Sequence, residues 1–154
     1  TLIATGQWDV VVLQQGPSAL PESRRMLVDY TRRFDAEIKK AGARTALYMV
    51  WPSRQRRGDM EGVSQSYRAA AEAVDGLLLP VGDAWRAALI ADRDLPIYAA
   101  DGFHPSGVGT YLAALVVYRH LMNQPAPVTP VLGGALAYAD QLHRIAARAA
   151  INPQ

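Results

Sequence analysis

The chain has 154 residues, 50% of them hydrophobic and 19% charged, which suits one compact domain with a sizeable core and is too little for two. Zero cysteines exclude a disulfide framework, thiol catalysis and Cys-ligated zinc or iron–sulfur centres; His104, His120 and His143 lie on separate segments, so no metal site is implied. Basic residues number 16 against 14 acidic, all but Lys39 and Lys40 being Arg, and a net charge of +2 makes no electrostatic case for nucleic acid. No apolar run approaches the roughly 20 residues of a membrane span, so the expectation is a soluble protein, secreted, periplasmic or cytoplasmic. The first residue is Thr1 rather than Met, which leaves a removed leader open.

Residues 8–13 form a continuous β-branched run bounded by Gly6 and Gly16-Pro17, as expected of a central parallel strand buried on both faces. Pro21-Glu22 opens a helix whose apolar positions, Leu27, Tyr30, Thr31, Phe34, Ile38 and Ala41, recur at helical spacing until Gly42. A second strand is predicted over 43–50, ending at Trp51-Pro52. A helix follows over 60–74 through Val63, Tyr67, Ala70, Ala71 and Val74, and then a short strand over 76–81. Asp83 is placed to cap a helix over 84–91, and Ser106 to cap another over 107–122. After Gln124-Pro125-Ala126-Pro127, a last amphipathic helix over 131–150 carries Leu132, Ala135, Leu136, Ala139, Leu142, Ala146 and Ala149 on one stripe.

Alternating strands and helices with short connections define an α/β fold, a three-layer α/β/α sandwich around a parallel sheet of flavodoxin-like type. The expected organisation is a single domain over 1–154 with the helix at 131–150 packed on it. Functional sites in such sheets gather at the carboxyl ends of strands.

Three segments hold candidate chemistry. In Asp101-Gly102-Phe103-His104-Pro105-Ser106, a carboxylate three residues before an imidazole can fix the ring's tautomer, leaving the other nitrogen to deprotonate a serine. The same six residues fit an Asp-Gly turn, an exposed histidine and a serine cap equally well. Leu13-Gln14-Gln15-Gly16-Pro17-Ser18, just past the first strand, sets two amides and a glycine where they could donate to an oxyanion, or is simply a turn into the helix. Trp51 with Arg54, Arg56 and Arg57 fits a cleft wall or, better, a solvated loop.

Asp101-Gly102-Phe103-His104-Pro105-Ser106, followed by Gly109-Thr110-Tyr111-Leu112-Ala113-Ala114-Leu115, resembles the last block of the SGNH (GDSL-like) hydrolases, in which an Asp-x-x-His pair precedes the C-terminal helix. Trp8-Asp9-Val10-Val11-Val12-Leu13-Gln14-Gln15-Gly16-Pro17-Ser18 is similar to a variant third block of a bacterial branch of that superfamily, of the Leu-Gln-x-x-Ser kind. The resemblance covers residues 8–121. It implies a Ser–His–Asp acyl-enzyme mechanism without cofactor or metal, in which Asp101 orients His104 and His104 is the general base. Gln14 or Gln15 would take the place of the family's oxyanion asparagine, whose strict register falls nearer Ser18, and Gly16 would be the turn glycine. The implied substrate is an acylated carbohydrate or a small carboxylic ester.

The family's nucleophile sits in a Gly-Asp-Ser or Gly-Asn-Ser turn after its first strand, and none of Ser18, Ser23, Ser53, Ser64, Ser66 and Ser106 follows either pair. Two explanations compete: a chain whose first strand and nucleophile precede Thr1, or a degenerate domain. Retention of Asp101, His104 and the amide pair together favours the first, and on that reading the chain alone is inactive. A second chain or segment would then supply the first strand. A non-catalytic binding module, holding a sugar or peptide by the Trp51 loop, is the alternative.

Overall fold

A computed structural model of the chain describes residues 2–128 and 134–149. Among these residues there are six α-helices and one three-stranded parallel sheet, so the chain is mixed α/β as expected. The described residues within Thr1–Val50 and Glu61–Leu79 form one compact unit, and those within Trp51–Met60 and Pro80–Gln154 form a second.

The first unit holds the sheet. Strands β1 (Val10–Leu13), β2 (Arg44–Tyr48) and β3 (Leu77–Leu79) run parallel in the order β1-β2-β3, with Val10 opposite Arg44 and Ala46 opposite Leu77. Helix α1 (Leu2–Thr5) precedes β1; α2 (Pro21–Lys40) returns the chain from β1 to β2, and α3 (Met60–Glu72) lies between β2 and β3. Parallel neighbours require such crossovers. Leu47, Met49 and Val50 pack with Leu27 of α2 and with Val63, Tyr67, Ala70 and Ala71 of α3.

Local signals set the ends of α2. Pro21 takes the first helical position, where its missing N–H is no loss, and Gly42 beyond the last turn adopts a φ of +77°, a conformation that favours glycine. Its buried seam differs from the expected one: Leu27, Thr31, Asp35 and Ile38 face inward, while Tyr30 and Phe34 are about half exposed. The charged member of the seam is satisfied there, because Thr45 Oγ1 donates to Asp35 Oδ1 at 2.7 Å and Lys39 Nζ stands 2.9 Å from Asp35 Oδ2.

The first strand also differs from expectation. Among the described residues β1 pairs with β2 alone, so it is an edge strand and β2 is central; Val12 is 47% exposed. A run of β-branched residues suits either position, and only the pairing separates them.

In the second unit, α4 (Val81–Ala91), α5 (Gly107–Met122) and α6 (Ala139–Ala149) pack on one another. Helix α4 starts earlier than predicted, with Pro80 at its N-cap, so Asp83 lies inside the first turn instead of capping it. Its carboxylate still suits the positive end of the helix dipole. Ser106 caps α5 as expected, its Oγ accepting from Gly109 N at 3.1 Å. Of the helix expected over 131–150, residues 131–133 and 150 lie outside the described residues. The rest is a 3-10 turn (Ala135–Tyr138) followed by α6, which buries Ala139, Leu142, Ile145 and Ala146, whereas Leu136 is exposed. Ile145 replaces Leu136 because the stripe follows the α-helical period only after the 3-10 turn ends.

Candidate active site

The Asp101–His104 segment is a turn held by its own backbone. Ala99 N donates to His104 O at 2.8 Å, Gly102 N to Ala99 O at 3.0 Å and Ser106 N to Ile97 O at 2.9 Å, and Tyr98 and Pro105 form an antiparallel bridge. Gly102 closes the turn at a φ of +69°, in the left-handed region. Within this frame Asp101 Oδ1 accepts from Phe103 N at 2.8 Å and from His104 N at 3.0 Å, while Asp101 Oδ2 lies 2.6 Å from His104 Nδ1.

These contacts fix the protonation pattern. The hydrogen bond to the His104 ring, followed by the two backbone N–H groups, holds the Asp101 carboxyl well below the usual carboxylate range, at about 2. An ionised carboxylate can only accept, so Nδ1 is the donor and, in the neutral ring, Nε2 carries the lone pair. The His104 side chain is 71% exposed, and Nε2 has no partner among the described residues. Phe103 stands edge-on to the imidazole at 5.1 Å and is itself half exposed, giving that side of the ring an apolar wall.

A second segment of the same unit braces this turn. Trp51 Nε1 donates to Phe103 O at 3.1 Å, and Arg54 N donates to Gly102 O at 2.7 Å. Trp51 stacks on the buried Trp85 with centroids 3.8 Å apart and planes 3° from parallel, and Trp85 meets Tyr98 edge-on at 5.4 Å. Tyr98 donates its hydroxyl to Pro52 O at 2.8 Å, and the Arg54 and Arg57 guanidiniums lie 5.5 and 5.8 Å from its ring centroid. Trp51 is thus a strut for the histidine turn, a role its position in the sequence does not disclose.

Gln14, Gln15, Gly16 and Ser18 belong to the first unit, at the carboxyl end of β1, and Asp101 and His104 belong to the second. Gln15 Nε2 donates to Ser18 Oγ at 2.7 Å and to Ser23 O at 3.3 Å, and Ser18 Oγ donates to Gly16 O at 2.9 Å. The Gln15 backbone is clamped by Tyr67, whose hydroxyl accepts from Gln15 N at 3.0 Å and donates to Gln15 O. Burial pushes the Tyr67 phenol up to about 12, so it stays a neutral donor. The side-chain donors of Gln15 are therefore occupied inside the loop, while Gln14 is exposed. Tyr67 was missed as a site residue because 52 positions separate it from Gln15.

The serine hydroxyls are mostly committed. Ser18, Ser23, Ser66 and Ser106 donate to the carbonyls of Gly16, Leu20, Gly62 and Pro96, and Ser64 is buried. His120 Nδ1 bonds Val116 O at 2.8 Å and His143 Nε2 bonds the Tyr111 hydroxyl at 2.9 Å, so neither has a carboxylate partner like that of His104. Among the described residues no group of three or more His, Asp or Glu is placed to hold a metal ion, and no helix is long and apolar enough to cross a membrane.

The fold is SGNH-hydrolase-like. No protein-family model and no curated protein matches the chain, but solved structures do. One is described as "a putative SGNH hydrolase from Slackia heliotrinireducens"; it is 29% identical with a TM-score of 0.67, over 78% of this chain and 69% of that one. Another, a DUF4886 family protein from Bacteroides uniformis, is 19% identical with a TM-score of 0.78, over 98% of this chain and 65% of that one, and shows likeness of fold alone. The chain spans about two thirds of the length of each. Likeness to the first points to hydrolase-like function.

Proposed function

We propose that this chain carries the acid–base half of a serine ester hydrolase. The supporting observation is the Asp101 Oδ2 to His104 Nδ1 hydrogen bond at 2.6 Å, which leaves Nε2 as the exposed base. In this mechanism a serine Oγ attacks the ester carbonyl carbon while its proton passes to His104 Nε2. Collapse of the tetrahedral intermediate breaks the bond to the leaving alkoxide, which takes that proton as the alcohol departs. Water then gives a proton to Nε2 and attacks the acyl-enzyme, releasing the carboxylic acid and restoring the serine.

Gln14, whose amide is exposed and not drawn into the loop, is the better candidate for oxyanion donor, with Gln15, Gly16 and Ser18 shaping the loop that presents it. On this reading the nucleophile is a serine in a Gly-Asp-Ser or Gly-Asn-Ser turn, a motif that residues 1–154 do not themselves contain. In support, four of the chain's own serine hydroxyls already donate to backbone carbonyls. Substrates on this reading are acylated carbohydrates or small carboxylic esters. The binding-module reading loses ground, because Trp51 is engaged in a stack and a hydrogen bond instead of offering a free platform.

The test uses the product of the whole gene. A fluorophosphonate probe should label one serine, and His104→Ala should lower turnover of a chromogenic short-chain ester by about a thousandfold or more. Absence of labelling, or a His104→Ala variant that keeps most of the rate, would overturn the proposal.

A further inference from the structure

The second unit contains an open pocket of about 440 Å³, lined by Arg57, Met60, Arg86, Leu89, Ile90 and Arg93. Arg86, Leu89 and Ile90 come from α4 and Arg93 from the turn just beyond it, while Arg57 and Met60 come from the 3-10 turn (Arg54–Asp59) and the residue after it. The volume is within the range of small-molecule sites, roughly 300–1,000 Å³. Two properties set it apart from an ordinary solvated surface.

The first is charge. Three guanidiniums share the lining and no carboxylate does. Of the acids close by in sequence, Asp59 pairs with Arg56 at 2.5 Å, and Asp92 Oδ1 accepts from Asp94 N at 2.9 Å. Arg86 has an interaction of its own, so the weight falls on Arg57 and Arg93. Like charges converging on one concavity repel, and an anion in it relieves the repulsion. Arg57 lies over the Tyr98 ring at 5.8 Å; a guanidinium can stack by its face and still donate two N–H groups from its edge.

The second property is an apolar floor. Met60 and Leu89 are each 8% exposed, and Ile90, in the same lining, is 75% exposed, so aliphatic carbon and guanidiniums share one concavity. A purely polar anion would use the guanidiniums alone; the aliphatic lining adds a demand for an apolar part.

We propose that this pocket binds an anionic amphiphile, with a carboxylate or phosphate head at Arg57 and Arg93 and a short aliphatic chain on Met60, Leu89 and Ile90. The inference is independent of ester hydrolysis and stands or falls without it. The same chemistry is offered by a free fatty carboxylate and by an anionic lipid headgroup, and the pocket's size commits the proposal to the free molecule.

Octanoate, octanol and phosphatidylglycerol vesicles are titrated into the protein while the methyl NMR signals of Met60, Leu89 and Ile90 are followed. Octanoate should shift these signals saturably, with octanol at least about tenfold weaker, a difference that salt reduces. The double variant Arg57→Gln/Arg93→Gln should weaken octanoate about tenfold or more while melting close to the parent, since both side chains are exposed. Equal affinity for octanol, undiminished binding by the variant, shifts with vesicles but not with octanoate, or no saturable shift would each overturn the proposal.

Discussion

Gly109→Ala isolates the close approach on which the histidine turn rests. A Cβ at this position would stand 2.2 Å from Ile97 O and 2.4 Å from the Trp85 ring, where real contacts are more than 3 Å. Relief requires the start of α5 to retreat by about 1 Å, or Ile97 O to swing away from the Ser106 N–H that it accepts at 2.9 Å. Overpacking of this kind costs about 1–3 kcal/mol, and losing the Ser106 bond about 1 kcal/mol more. Exchanging a helical glycine for alanine returns about 1 kcal/mol, so the net expectation is destabilisation by about 2 kcal/mol. In a chain of this length that lowers the melting temperature by about 4–8 °C. Thermal and urea unfolding followed by tryptophan fluorescence measure it, with Gly58→Ala as control: no atom lies within 4 Å of a Cβ there, and the change should stay within about 0.5 kcal/mol. A Gly109→Ala protein as stable as its parent would refute the packing argument.

Titration of the Asp101 carboxyl carbon by NMR should give a midpoint near 2 rather than 3.8, and His104→Ala should move it back up. Because the folded value is the lower one, the stability it contributes is complete above about 3.8 and is lost as pH falls through about 2. Tyr67→Phe removes the hydroxyl between Gln15 N and Gln15 O; a loss of about 1–3 kcal/mol and faster amide exchange at Gln15 are expected, and unchanged exchange would count against the clamp. For Tyr67 itself the folded value is the higher one, so its contribution is complete below pH 10 and is lost as pH rises to about 12, which alkaline absorbance titration can follow. Trp51→Phe should keep an aromatic stack and lose only the bond to Phe103 O, about 1 kcal/mol, whereas Trp51→Ala should cost about 3 kcal/mol in chemical denaturation.

What could be read in advance was what a few neighbouring residues decide among themselves. Pro21 and Gly42 bound α2, Ser106 caps α5, and Asp101 meets His104, each through contacts spanning a turn or less. Contacts made across the chain left no such trace: Tyr67 on Gln15 and Trp51 on Phe103 each join positions 52 residues apart. Apolar spacing placed Leu27, Thr31 and Ile38 in the seam of α2 but also Tyr30 and Phe34, which are half exposed, and it passed over Asp35, which looks like a surface residue until Thr45 and Lys39 are seen to satisfy its carboxylate. Hydrophobicity likewise carried no information on whether β1 has one neighbour or two.

The parallel indoles of Trp51 and Trp85 have an optical consequence. Rings 3.8 Å apart and 3° from parallel couple electronically and quench one another, whereas Trp8, the third tryptophan, is 48% exposed and makes no ring contact among the described residues. Native emission should therefore be dominated by Trp8, and any event that lifts Trp51 off Trp85 should brighten the protein. Since Trp51 also holds the carbonyl of Phe103, next to His104, that brightening is a label-free readout of the histidine turn coming loose.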